Sequence, residues 1–390
     1  RHDRRRATQT HQRPRMWKGN KAARKRRQRN KQRGRGGGAH LREAHSRANL
    51  SIATPRRPLP EMVEVCFLAM GKPTQVDYAV SIIRNIEAHA ANDVRYHMLV
   101  DKPPAPLEAQ MSARAVWRGL PMERIRLQSV VDISESAKTL YKALSATATG
   151  PGGLYLYKPL LHLVLPRSVP RVIVLDTDLF VFASLRGLWD LFGRFETPQL
   201  IGLAQEQCPS YQEVRALGGR GFNGGVQLLA LDKMRASQHY GQLLWQHARR
   251  QLPMKPGGIG WLGDQTLYSW MSVNGSGAED LFFELPCGWN RQIGTHMAGW
   301  RGFWRSNRCS EPCQLLHGNY VNHKKLLESL KQDPTGASCR SVVRRFRRTE
   351  PLFRDGTPDA RMIDMVGAKC CARGFRGGAT AMSAAVAAVS

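Results

Sequence analysis

No stretch of the 390 residues stays apolar for the roughly 18 positions that a membrane-crossing helix needs. Cysteine is scarce for the length. The eight, at 66, 208, 287, 309, 313, 339, 370 and 371, are too few for a disulfide-built scaffold, cluster late, and allow one or two bridges. Acid is what the first 60 residues lack, since Asp3 and Glu43 face 20 Lys and Arg with almost no large aliphatic side chains. Such a segment cannot bury enough surface to offset chain entropy. Residues 1–60 are therefore expected to be a disordered basic segment, which accounts for much of the formal net charge of +29. Aromatic side chains that would stack on bases are also missing there apart from Trp17, so a solvated tail is favoured over an RNA- or anionic-surface-binding arm. No specific nucleic-acid partner is expected. Arg1 stands where an initiator Met would, which suggests an incomplete or processed start and leaves a membrane anchor outside the chain compatible with it.

What is present is enough for a substantial core, with 42% hydrophobic residues and nine Trp. Order is expected from Glu61, with a first strand over Val63–Met70 and then a helix from Val76 to His89 that spaces Val76, Val80, Ile83 and Ile86 on one face. A strand at Tyr96–Val100, a helix at Leu107–Trp117 and a strand at Ile125–Val130 follow. This alternation predicts an α/β fold with helices on the faces of the sheet.

The chain is organised around Arg171–Trp189. Val172-Ile173-Val174-Leu175 has the continuous apolar character of a strand covered on both faces, and it runs into Asp176-Thr177-Asp178. Carboxylates at i and i+2 of an extended segment point the same way, so both can face one hard divalent cation, Mn2+ or Mg2+. A solvated strand-end turn is the bland alternative, but charge placed between two apolar runs is costly unless compensated. Upstream, Lys158 lies inside the apolar run Leu154–Leu165, and its bland reading is a snorkelling helix lysine. Ser184 is expected to cap a short helix reaching Phe192.

Further on, Gly218–Gly225 reads as a flexible glycine-rich loop feeding the strand Val226–Leu231. Gly263-Asp264-Gln265 introduces a helix, where Asp264 also suits a capping role. Leu285–Asn290 is a turn-rich segment, and Leu315-Leu316-His317-Gly318-Asn319 resembles a strand ending in a histidine. After about Leu330 the chain turns basic and then Gly/Ala-rich, so residues 334–390 are expected to be a poorly ordered tail.

In their order, Lys158 placed 18 positions before Asp176, VIVLDTD with a following LW, GFNGGV, GDQ, LPCGWN and LHGN resemble the nucleotide-sugar glycosyltransferases of family eight. The pattern particularly resembles the glucoside xylosyltransferases and the xylosyltransferase domain of LARGE-type enzymes. The resemblance implies a GT-A (Rossmann-like) domain with a mixed central sheet over 61–333. It implies Asp176, Asp178 and His317 as ligands of Mn2+, with Lys158, Thr177, Gly318 and Asn319 also at the UDP-sugar. It further implies sugar contacts from Asn223, Asp264 and Gln265, an acceptor-side position for Trp289 and Asn290, and a bridge among Cys287, Cys309 and Cys313. The implied activity is transfer with retention, xylose favoured, to a glycan or glycoprotein acceptor in the Golgi or another secretory-pathway lumen.

Two features depart from that pattern. Lys324 and Lys325 fall seven and eight positions after His317, farther than paired lysines of LARGE-type chains, and Gly224 stands where relatives carry Ser or Thr. Cys309, Cys313 and His317 also spell three zinc ligands, but a fourth is missing. Other readings are a glucosyl- or galactosyltransferase of the same fold, a nucleotidyltransferase sharing the aspartate pair, and a non-enzymatic protein that binds RNA or anionic surfaces through its basic tails.

Overall fold

Alternating apolar strands and amphipathic helices run from Glu61 to Cys371 in the computed structural model, which describes residues 61–371 apart from 72, 91–92, 103–116, 147, 149–150, 250–261, 295–308, 320–323 and 354–356. The expected basic segment 1–60, nearly all of the expected helix Leu107–Trp117 and the end of the chain after 371 lie outside the described residues. The strands are β1 (Val63–Leu68), β2 (Val94–Val100), β3 (Ile125–Ser129), β4 (Val172–Leu175), β5 (Leu179–Val181), β6 (Ile201–Gln205), β7 (Phe222–Leu229), β8 (Phe282–Glu284), β9 (Arg291–Gln292) and β10 (Leu315–His317).

Seven of them form one sheet in the order β3-β2-β1-β4-β7-β6-β8. The first four are parallel, β7 is antiparallel to both neighbours, and β8 is parallel to β6, so the sheet is mixed as expected. Both faces are covered. Alternate residues Val63, Val65 and Phe67 share one core with Val76, Ala79, Val80, Ile83 and Ile86 of the helix Pro73–Glu87. Cys66, Val172 and Val174 face the other core, with Ala137, Leu140 and Leu144 of the helix Glu135–Ser145. That helix starts where Ser134 Oγ accepts from the Ala137 N–H at 3.3 Å.

A small second sheet, β5-β10-β9, stands at the end of β4. Its β5 edge is held by a side chain instead of a strand: Asn85 Oδ1 accepts from Val181 N at 2.6 Å, and its Nδ2 donates to Val181 O at 3.0 Å. One amide thereby satisfies both backbone groups of a buried strand edge. The triplet Asp176-Thr177-Asp178 is the link from the large sheet to the small one.

The expected glycine-rich loop is corrected by the fold. Phe222, Asn223, Gly224 and Gly225 belong to β7 and are buried. Their glycines sit in a strand because neighbouring side chains take the space where Cβ atoms would be.

The expected tail at 334–390 is corrected as far as Cys371. Cys339–Thr349 and Pro358–Met365 are helices. The first turns Cys339, Val342, Val343 and Phe346 inward while Arg340, Arg344, Arg345 and Arg348 remain exposed. Its arginine content disguised an amphipathic period. The inward face packs with Phe180, Leu316 and Leu327 in a third core. Each such side chain contributes roughly 1.5–3 kcal/mol when fully buried. Disulfides Cys313–Cys370 and Cys339–Cys371 tie this region down, and Cys287–Cys309 makes a third bridge where one or two were expected. The zinc alternative fails because Cys309 and Cys313 are both consumed in bridges. Among the described residues no helix is long and apolar enough to cross a membrane.

Candidate active site and metal centre

β4 carries its apolar side chains into both cores, and the link that follows it emerges at the C-terminal edge of the parallel strands, the usual place for a ligand in an open α/β sheet. Backbone bonds shape the link: Asp176 N donates to Gly225 O at 2.9 Å, and Gly318 N donates to Asp178 O at 2.9 Å. The second bond draws the end of β10 against the triplet.

His317 thereby meets both aspartates. Its Nε2 is 3.3 Å from Asp178 Oδ1 and 4.0 Å from Asp176 Oδ2, and one ligand atom from each of the three residues lies within 4.8 Å of the others. Two carboxylate oxygens and an imidazole nitrogen suit Mn2+ or another divalent cation. The ring reaches this position only because residue 225 is glycine, since a Cβ there would be 2.2 Å from His317 Cε1. The free ring nitrogen points at the carboxylates because Nδ1 is engaged with Asn290 Oδ1 at 3.0 Å. The donor set and its supporting hydrogen bond therefore fit a metal. Burial opposes a charge on His317, but Asp178 and Asp176 outweigh it and hold the ring above its usual pKa. Burial likewise opposes ionisation of Asp178, while His317 and Lys331 keep its carboxyl below the usual range.

Lys158 is no snorkelling lysine, because its side chain is 2% exposed. The ammonium donates to Asp176 Oδ1 at 2.7 Å and Gly224 O at 2.8 Å, and lies 3.7 Å from Asp264 Oδ2. Burial disfavours the charge, but Asp176 and Asp264 hold its pKa above the ordinary value.

Asp264 does not cap its helix. Gly263 occupies the cap with φ +45°, a conformation and a crowded position, 2.2 Å from Gly152 O for any Cβ, that only glycine accepts. The Asp264 carboxylate instead turns inward to Lys158 and to Gln227 Nε2 at 2.5 Å. Burial pushes it up to about 7 against the opposing pull of Lys158.

Asn223 and Gln265, predicted at the donor sugar, are buried with both ends of their amides engaged by protein. Asn223 Nδ2 and Gln265 Nε2 donate to Glu206 Oε2 at 3.0 and 3.1 Å. Their oxygens accept from Gly225 N and Gly224 N, both at 3.0 Å. Thr177 Oγ1 donates to Gln75 at 3.3 Å, and Asn319 Oδ1 accepts from Gly294 N at 2.6 Å. Asn290 is fully buried, and Trp289 packs its ring 3.1 Å from the position of a Gly187 Cβ.

A cavity of about 230 Å³ opens beside the triplet, with Leu68, Gln75, Tyr78, Tyr155, Leu175 and Lys331 in its wall. Asp176, then burial, pushes the Tyr155 phenol up to about 12, so it stays a neutral donor. Lys331 was not predicted from sequence. It closes the helix Lys324–Lys331 and donates to Thr177 O at 2.8 Å, whereas Lys325, at the start of that helix, is exposed. The spacing of Leu326, Leu327 and Leu330 is a helical period, but only the fold reveals which end of the helix meets the cavity. Glu206 was also missed, because an isolated acid after a strand carries no motif.

No protein-family model matches the chain. In sequence it is 33% identical to mouse xyloside xylosyltransferase 1 over 181 residues, 41% of this chain and 45% of that protein. It is 28% identical to human xylosyl- and glucuronyltransferase LARGE2 over 293 residues, 72% of this chain and 37% of that one. The chain thus spans less than half the length of these relatives. Among solved structures, the apo form of mouse xyloside xylosyltransferase 1 superposes with a TM-score of 0.55 at 24% identity, covering 67% of this chain and 99% of that one. The GT-A fold expected from the motifs is therefore the fold observed, and the named relatives are glycosyltransferases.

Proposed function

We propose that this chain is a retaining, Mn2+-dependent glycosyltransferase that moves a sugar, with xylose favoured, from a UDP-sugar to a glycan or glycoprotein acceptor. The observation that carries the reading is the convergence of Asp176, Asp178 and His317 at the end of β4, in a chain whose relatives are named sugar transferases. A divalent cation held by these three residues would supply Lewis-acid stabilisation of the departing diphosphate.

The remaining wall suits the same donor. Lys158 balances the buried carboxylates, and Lys331 adds positive charge at Thr177, beside the place where a diphosphate would gather negative charge. Leu68, Leu175 and Tyr78 offer an apolar lining for a nucleoside. Asp264, shifted towards neutrality, is the group we assign to the sugar hydroxyls, with Gln265 and Asn223 supporting the floor behind it. With Asp264 engaged by Lys158 and Gln227 rather than free as a nucleophile, retention favours same-face attack, the acceptor hydroxyl entering on the side from which UDP leaves and its proton passing to the departing diphosphate. We assign the catalytic unit to residues 61–371 rather than 61–333, since Leu316 and Leu327 share a core with the helix Cys339–Thr349. Three disulfides support an oxidising, secretory-pathway compartment such as the Golgi lumen.

Release of UDP from a panel of UDP-sugars by the full chain, with and without Mn2+, tests the proposal. Mn2+-dependent turnover of UDP-xylose alone supports it as stated. Preference for UDP-glucose or UDP-galactose keeps the chemistry and replaces the sugar, whereas pyrophosphate release, or neither UDP binding nor turnover by folded protein, overturns it.

A further inference from the structure

We propose that Asn290 serves the site through His317, as the last link of a buried amide relay that keeps the ring's Nε2 available to a cation, and not by touching the acceptor. The proposal rests on the metal-site reading above. A histidine can coordinate through Nε2 with its lone pair only if the ring proton sits on Nδ1, and that proton needs an acceptor. Asn290 Oδ1, 3.0 Å away, is that acceptor. An amide offers oxygen at one end and NH2 at the other, so what matters is what prevents Asn290 from turning round.

The answer lies two residues back along the relay. The Glu206 carboxylate accepts from Asn223 Nδ2 at 3.0 Å, and the Gly225 backbone N–H donates to Asn223 Oδ1 at 3.0 Å. A peptide N–H cannot accept, so the Gly225 N–H fixes the oxygen end of Asn223 and leaves its NH2 end to the Glu206 carboxyl. Its oxygen then takes the Asn290 Nδ2 donor at 2.8 Å. Turning Asn290 would place oxygen against oxygen there and NH2 against the Nδ1–H of His317, losing both bonds. No water can substitute, because Asn223, Asn290 and His317 are 2%, 0% and 3% exposed. Gly225 serves the relay twice, supplying the N–H that orients Asn223 and leaving room for the ring.

Two full-chain variants separate this role from packing. Asn290→Asp keeps an acceptor at Nδ1 but sets a carboxylate oxygen against Asn223 Oδ1. It is expected to lower the unfolding temperature while Mn2+ affinity, read by electron paramagnetic resonance of free Mn2+, stays within about tenfold. Asn290→Leu fills the space without an acceptor and is expected to weaken Mn2+ roughly 10–100-fold. A packing role alone would move stability and affinity together, and that result overturns the proposal, as does wild-type affinity in Asn290→Leu. Nitrogen-15 spectra of the metal-free, histidine-labelled chain give a second readout, with His317 assigned by its own substitution. Nδ1 should keep its proton in the wild type and lose it in Asn290→Leu, and a bare Nδ1 in the wild type overturns the relay. If the wild type binds no Mn2+, the metal reading fails, and these spectra still decide the relay.

Discussion

The ammonium of Lys158 lies 2.7 Å from Asp176 Oδ1 across 18 positions of sequence, and the same ammonium is 3.7 Å from Asp264 Oδ2. One buried cation thus offsets two carboxylates drawn from different elements. Without it the buried Asp264 carboxylate would keep the Gln227 amide but have no cation beside it.

Replacing Lys158 by Met should therefore cost roughly 3–5 kcal/mol of stability at pH 8, because it leaves buried charge uncompensated. The deficit should shrink at pH 5.5. Asp264 is already pushed up to about 7, mainly by burial, and without Lys158 it rises further, so at the lower pH it is neutral and less costly to bury. Chemical denaturation at the two pH values checks this, and equal losses would refute it.

Gly225→Ala should abolish metal binding in a folded protein, since its Cβ would displace the His317 ring. Gly241→Ala is the control. It lies in the helix Gln238–Ala248 with nothing within 4 Å of its Cβ position, and it should stabilise by about 0.5–1 kcal/mol without touching Mn2+ affinity. Calorimetric titration with Mn2+ distinguishes the two.

Lys331→Ala should raise KM for the UDP-sugar about tenfold with a smaller change in kcat, because its charge lies in the cavity wall rather than at the sugar. Lys325→Ala, exposed on the same helix, should leave both unchanged. Steady-state kinetics with varied donor decides between them.

Acid should weaken the fold through two buried histidines. Burial lowers His162 and His247 to about 4, so each is neutral when folded and accepts a proton when unfolded. Their stabilisation is complete above the unfolded value of about 6.5 and is lost as pH falls through about 4, up to roughly 3 kcal/mol for each. A His247→Gln variant should show a flatter stability profile between pH 6.5 and 4.

Reduction should loosen the C-terminal helices first. Cys313–Cys370 and Cys339–Cys371 close 57 and 32 residues of chain, worth roughly 2–4 kcal/mol each in denatured-state entropy. A Cys339→Ser/Cys371→Ser pair should lower the unfolding temperature, and hydrogen exchange should rise first over Cys339–Thr349. Because Leu316 and Leu327 share that core, Mn2+ affinity should also fall.

Much of this was legible where a local pattern governs structure. The helical spacing of Val76, Val80, Ile83 and Ile86 marked a core-facing helix, and VIVL followed by two aspartates marked β4 and the carboxylates at its end. Reading failed where burial contradicts composition. Asn223-Gly224-Gly225 looks like loop, yet it is strand, because its missing side chains make room for His317 and Asp264. The helix Cys339–Thr349 looks like a solvated basic run, yet a third of it is core.

By itself the sequence determined the chemistry that can be offered and the periods of its elements: an aspartate pair on an extended link, a histidine ending a strand, apolar faces at spacings of two and of three to four. Those follow from bonds along the chain. Only the tertiary structure decided which groups meet. That Lys158 neutralises Asp176 and Asp264, that Lys331 and not Lys325 reaches the cavity, and that Glu206 meets Asn223 behind His317 all depend on elements packed from distant segments. Separation along the chain carries no information about such distances, and a buried polar group is defined by its partners rather than by its neighbours in sequence.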